Sequence, residues 1–156
     1  MPLPAYRFVP GRNPHPTRSP DGHGVERVAE LDAREAWLYG IDLFNTRYFW
    51  EAHEAWERVW RELPDGSRGR DVVKGLIQVS AALFKLHLGN EGGARRLAAR
   101  GLERIETAAR HHGEWRALEL GPVANAVRER LVRAGSPLIF EQAAFEISLG
   151  QRPPLP

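Results

Sequence analysis

Glu51, His53, Glu54 and Glu57 bring one imidazole and three carboxylates into seven residues of the run Tyr48-Phe49-Trp50-Glu51-Ala52-His53-Glu54-Ala55-Trp56-Glu57-Arg58-Val59-Trp60. His53 and Glu57 are four apart, so on a helix both reach the same point in space. Such a pair can ligate a metal ion or share a proton in acid–base chemistry. A protein metal site generally needs three or four ligands. No second histidine stands where an H-E-x-x-H motif would put it, and His87 and Asp42 are the further ligands the chain could offer. The structural alternative is that Glu57 orients His53 and the two satisfy each other between helices.

A second polar group lies downstream. Of the 22 basic residues only Lys74 and Lys85 are lysine. They form a stripe with Gln78 on a stretch otherwise rich in apolar residues (Val72, Val73, Leu76, Ile77, Val79, Leu83, Phe84, Leu86). A helix that is apolar nearly all round belongs at the centre of a fold, and a polar stripe on it must find water or a polar partner. The acids around His53 are the natural partner. The expectation is one cleft in which His53, Glu54, Glu57, Gln78 and Lys85 are candidate catalytic residues and His53 and Glu57 candidate metal ligands. The alternative has the lysines snorkelling to solvent at the helix ends.

These groups must be positioned by helices, because apolar residues recur at helical spacing and strict alternation is absent. Helices are expected over 33–44, 48–63, 70–88, 92–112 and 122–133, with a last one over 140–149. Asp32 with Glu35 forms a capping-box pattern, Pro64-Asp65-Gly66 stops the second helix and Gly89-Asn90 the third. On a helical wheel Phe49, Ala52, Ala55, Trp56, Val59 and Trp60 form the core face of the second helix, His53 and Glu57 lie on its border, and Glu51 lies on the opposite border. Trp50 and Trp115 are expected at the surface as contact residues. Residues 1–24 contain six prolines and should be irregular, packing over the core through Tyr6, Phe8 and Val9 or remaining disordered. Residues 151–156 form a second Pro-rich tail. The expected fold is all-α: a bundle of about five to six helices arranged as helical hairpins, one domain over 25–150, flanked by the two tails. A weak internal repeat at an offset of 42 pairs Gly40 with Ala82 and Ala52 with Ala94. Gly40, Ala52, Trp56 and Pro64 also give the first hairpin a spacing similar to a tetratricopeptide hairpin, which a single match does not make a solenoid.

Three blocks in order, Leu43-Phe44-Asn45-x-x-Tyr48-Phe49-x-Glu51-Ala52-His53-Glu54-x-x-Glu57-x-x-Trp60, Gly75-Leu76-Ile77-Gln78 and Gly89-Asn90-x-x-Gly93-Ala94, closely resemble the bacterial and archaeal domain of unknown function number 309. The resemblance covers about residues 33–97. It implies a small all-helical domain with no established activity, whose recurrent residues map to Asn45, Glu51, His53, Glu54, Glu57, Trp60 and Gln78. This chain departs in placing Trp50 and Trp56 where smaller or aliphatic residues are usual. Asn45 sits in a hairpin turn, where its side chain can satisfy backbone groups.

Composition narrows the function classes. The chain has 156 residues and no cysteine, which excludes disulfides, thiol nucleophiles and cysteine-held metals. Net charge is +2, with acids interspersed among the arginines, so a nucleic-acid footprint is not expected; Arg95, Arg96, Arg100 and Arg104 come nearest to one. No apolar run spans a membrane and no secretory leader is visible, so the expected setting is cytoplasmic. No cofactor is indicated. The leading expectation is a non-catalytic scaffold or protein-interaction module, with a homodimer or protein partner. The alternative is a metal-dependent or acid–base enzyme, such as a hydrolase, acting on a small molecule with the His53/Glu57/Gln78 cleft.

Overall fold

A computed structural model describes residues 1–23, 28 and 30–132. Among these residues five helices follow the periodicity: α1 (Ala33–Asn45), α2 (Phe49–Glu62), α3 (Arg68–His87), α4 (Glu91–His111) and α5 (Leu120–Val132). Each boundary has a local cause. The Asp32 carboxylate accepts the Arg34 and Glu35 amides while Glu35 accepts the Asp32 amide, completing the capping box. Ser67 accepts from the Arg70 amide to start α3, and Asn90 accepts from the Gly93 amide to start α4. The helix expected over 140–149 and the second Pro-rich tail lie outside the described residues.

One expectation is corrected. Glu114–Trp115 and Leu118–Glu119 pair as a two-stranded antiparallel hairpin between α4 and α5. Two residues per strand are too few to show an alternation, so the pattern could not be read in sequence. Its turn places Arg116 and Ala117 at φ 49° and 61°, the conformation that a tight hairpin demands of both central residues. The hairpin is anchored rather than free. Leu118 is fully buried, and the Trp115 ring meets Trp37 edge-on at 4.9 Å. Arg68, at the start of α3, donates to the carbonyls of Ala108, His112 and Glu114, which closes the C-terminus of α4 and ties the hairpin to it.

α1/α2 and α3/α4 are two antiparallel hairpins, with α3 also packed on α2 and α5 on α4. The ends of α1 and α3, and the starts of α2 and α4, are each separated by 42 residues. The offset extends to the turns: Arg47 (φ 67°) and Gly89 (φ 75°) are both left-handed. The core is built on an aromatic cluster in the first hairpin. Trp56 is fully buried, with ring centroids 5.6 Å from Phe44 and 6.3 Å from Trp37. Gly40 permits this approach, since a Cβ there would lie 2.3 Å from the Trp56 indole nitrogen. α3 supplies Val72, Val73, Leu76, Ile77, Val79 and Leu83 to the same core, as its nearly all-round apolar sequence requires. Its buried Ser80 hydroxyl donates to the Phe49 carbonyl at 2.7 Å, satisfying a polar pair between α3 and the first turn of α2.

Candidate functional site

The sequence-predicted residues divide into three places. His53, Glu54, Glu57 and Lys74 form a network at the α2–α3 surface. His53 Nδ1 is 3.2 Å from Glu54 Oε1, and Lys74 Nζ donates to Glu57 Oε1 at 3.2 Å. His53 Nε2 lies 4.0 Å from Glu57 Oε1, beyond hydrogen-bond length. The His53 and Glu54 side chains are each 30% exposed. Trp60 carries the far end of the network: the Arg70 guanidinium sits 3.9 Å over its ring and Lys74 Nζ 4.5 Å. Lys74 thus meets Glu57 of α2 rather than only solvent.

Gln78 follows Lys74 by one turn of α3. It lines an open groove of about 300 Å³ between α3 and α4 with Asp71, Arg100, Glu103, Arg104 and Thr107. Across it Arg104 pairs with Asp71 at 2.5 Å, so the arginines nearest to a basic stripe are interleaved with acids. Lys85 lies near the end of α3 against Gly93, where a Cβ would come 3.0 Å from Lys85 Cδ. Gln78 thus lines the α3–α4 groove while Lys74, one turn before it on α3, reaches Glu57 of α2. Among the described residues no three His, Asp or Glu side chains are grouped to hold a metal ion.

The buried ionisable pair is a different one. Glu51, in the first turn of α2, is 4% exposed. Its Oε1 accepts the Phe8 backbone amide at 2.7 Å and lies 3.1 Å from His23 Nε2, whose side chain is 6% exposed. Its Oε2 is buried with no hydrogen-bond partner in the protein. Burial pushes the Glu51 carboxyl above its ordinary range, and the hydrogen bonds from Phe8 and His23 offset part of that rise. The wheel placed Glu51 on a border because it considered α2 alone. The partners that bury it come from 28 and 43 residues upstream, and the one available clue was its place among the recurrent residues of the family resemblance.

Those partners belong to the proline-rich segment, which packs on the helices. The Tyr39 hydroxyl donates to the Pro2 carbonyl at 3.0 Å and the Tyr48 hydroxyl to the Pro4 carbonyl at 3.3 Å. Phe8 is buried, with its ring 5.2 Å from Trp50 and 6.1 Å from Phe84. The chain then turns over Val9–Asn13, where the Arg12 and Asn13 amides both donate to the Val9 carbonyl. His15 meets Trp50 edge-on at 5.4 Å, and the Tyr6 ring packs on His23 at 4.5 Å. The two tryptophans expected as exposed contact residues are thus half-buried by their own chain. Trp50 lies under Phe8 and His15, and Trp115 lies against Trp37 because both segments bring aromatic partners that bury more area together than apart.

Comparison with known proteins agrees with the resemblance read in the sequence. The family described as "Domain of unknown function (DUF309)" matches residues 37–97, which run from α1 into the second turn of α4. The chain is also similar to the uncharacterized protein YpuF of Bacillus subtilis (strain 168), at 35% identity over 72 residues. That alignment covers 46% of this chain and 41% of the relative, so the chain spans less than half the length of the curated relative it matches. Among the described residues no helix is long and apolar enough to cross a membrane.

Proposed function

We propose that this chain, whose residues 37–97 carry the DUF309 domain, is a non-catalytic protein-interaction module that presents the face formed by Tyr39, Tyr48, Trp50, Glu51 and Phe84. The observation that supports this reading is that the face already holds a polypeptide. Two tyrosine hydroxyls donate to backbone carbonyls, a buried carboxylate accepts a backbone amide, and an aromatic side chain is seated against Trp50 and Phe84. Groups that bind main chain and one side chain in this way are the working parts of a peptide-binding surface. The chemistry-bearing residues of α2 do not favour catalysis to the same degree. His53, Glu54, Glu57 and Lys74 are engaged with one another at a partly exposed surface, and Gln78 lines another groove.

The metal-dependent or acid–base reading rests on His53, Glu57 and Gln78, and one experiment separates the two. Affinity capture from a bacterial lysate is run with the intact chain, with a His53→Ala/Glu57→Ala variant and with a Tyr48→Phe/Trp50→Ala variant. The interaction reading expects one partner, retained by the first variant and lost by the second. A chain that stays monomeric and captures nothing, or capture that depends on His53 and Glu57, overturns it.

A further inference from the structure

Resting on the interaction reading, we infer that residues 2–8 occupy this groove as an intramolecular stand-in, and that the groove's partner is a peptide of the same chemistry: proline, any residue, proline, three residues, then an aromatic. The division of the chain is the first argument. Tyr39, Tyr48, Trp50, Glu51 and Phe84 all lie within the stretch matched by the family, whereas Pro2, Pro4 and Phe8 lie outside it. The groove belongs to the matched domain and its present occupant does not.

The geometry supplies the motif. Tyr39 reads the carbonyl at the first proline and Tyr48 the carbonyl at the second, 3.0 and 3.3 Å away. Proline favours both contacts because its ring fixes φ and lowers the entropy lost when the segment is ordered. Glu51 reads the backbone amide of the aromatic position at 2.7 Å. The aromatic ring is the anchor, meeting Trp50 at an interplanar angle of 68° and Phe84 nearly parallel at 26°. A proline at the aromatic position would lose the amide that Glu51 accepts, so the register of the motif is fixed from both ends.

The stand-in also regulates access. A tethered segment competes at an effective concentration in the millimolar range, so a free peptide at micromolar concentration is excluded until the segment lifts. His23, on Glu51 Oε1 beside Phe8, closes the loop that keeps the segment down.

The test uses the full chain and a labelled synthetic peptide of residues 1–13, read by fluorescence anisotropy. The intact chain is expected to bind it weakly. Phe8→Ala, which removes the anchor without touching the groove, should tighten binding at least tenfold. Adding Tyr48→Phe in that background should weaken it several-fold, and a peptide carrying alanine at position 8 should not bind. Circular dichroism of each variant establishes that the helices are intact. Equal affinity for the intact and Phe8→Ala chains, or for the native and alanine-substituted peptides, overturns the inference. A concentration-dependent dimer that Phe8→Ala abolishes would assign the groove to a second copy of the chain and also overturn it. If the peptide fails while lysate capture still depends on Tyr48 and Trp50, this inference falls and the interaction reading stands; if both fail, both fall.

Discussion

At the scale of residues, Glu51 and His53 separate what was crowded together in the sequence. His53 sits in a partly exposed network whose ion pairs are of the kind that contribute at most about 1 kcal/mol each. His53→Ala is therefore expected to shift the urea unfolding midpoint by an amount equivalent to less than about 1 kcal/mol; a larger loss would mean that His53 holds the α2–α3 contact. Glu51 is the opposite case. Its pKa is raised by burial, so its ionisation in the folded state costs stability. For a group raised in this way, the favourable contribution is fully present below the ordinary value of 4.5 and is lost as pH rises through the higher folded value. Glu51→Gln removes that titration. The stability of the intact chain relative to this variant should rise as pH is lowered from 7.5 towards 4.5, measured by urea denaturation at each pH. A flat difference, or one of opposite slope, would show that the His23 contact outweighs desolvation. Neither outcome was legible in the sequence, because the type and spacing of Glu51 match those of Glu54, and burial is set by residues Phe8 and His23 far upstream.

At the scale of elements, most of the fold was legible because the causes are local. The capping box at Asp32, the proline after α2 and the Gly89-Asn90 turn mark boundaries that the helices keep within about two residues. The offset of 42 was faint in residue identities, yet it holds in the turn conformations of Arg47 and Gly89. What escaped was non-local: the Glu114–Trp115/Leu118–Glu119 hairpin is too short to announce itself, and Arg68 finds its three carbonyls across 40 to 46 residues. The stripe of Lys74, Gln78 and Lys85 named the residues but not their neighbours: Lys74 reaches Glu57 of α2, and Gln78 lines a groove with α4 residues. The repeat gives a test of the turns. Arg47 occupies a left-handed conformation that disfavours any side chain by about 1 kcal/mol, and its counterpart in the second hairpin is glycine. Arg47→Gly should raise the unfolding free energy by about 0.5–1 kcal/mol, after allowing for the greater freedom of glycine in the unfolded chain. Gly89→Arg should lower it by a similar amount, and thermal denaturation of the two variants checks both signs.

At the scale of the molecule, the described chain behaves as a helical unit with a segment laid upon it, and the two should open at different free energies. The helices are joined by a continuous apolar core in which Trp37, Phe44, Trp56, Leu76 and Ile105 are almost wholly buried. Residues 1–23 are held mainly by one anchor, Phe8, by hydrogen bonds that Tyr39 and Tyr48 donate to the segment, and by the Glu51 carboxylate, which accepts the Phe8 amide and meets His23. Truncating a buried phenylalanine to alanine costs about 3–5 kcal/mol when the whole fold must bear the loss. Here the segment can lift while the helices stay packed, so the loss falls on the local opening equilibrium. Trypsin reads that equilibrium, because Arg7 and Arg12 flank Phe8 and must leave the surface to enter a protease. Phe8→Ala should speed cleavage at Arg7 and Arg12 by a factor of ten or more while the thermal midpoint of the helical signal falls by only a few degrees. Cleavage that accelerates only in step with global unfolding would mean that segment and helices form one cooperative unit. The groove would then be part of the core rather than a surface that can exchange its occupant.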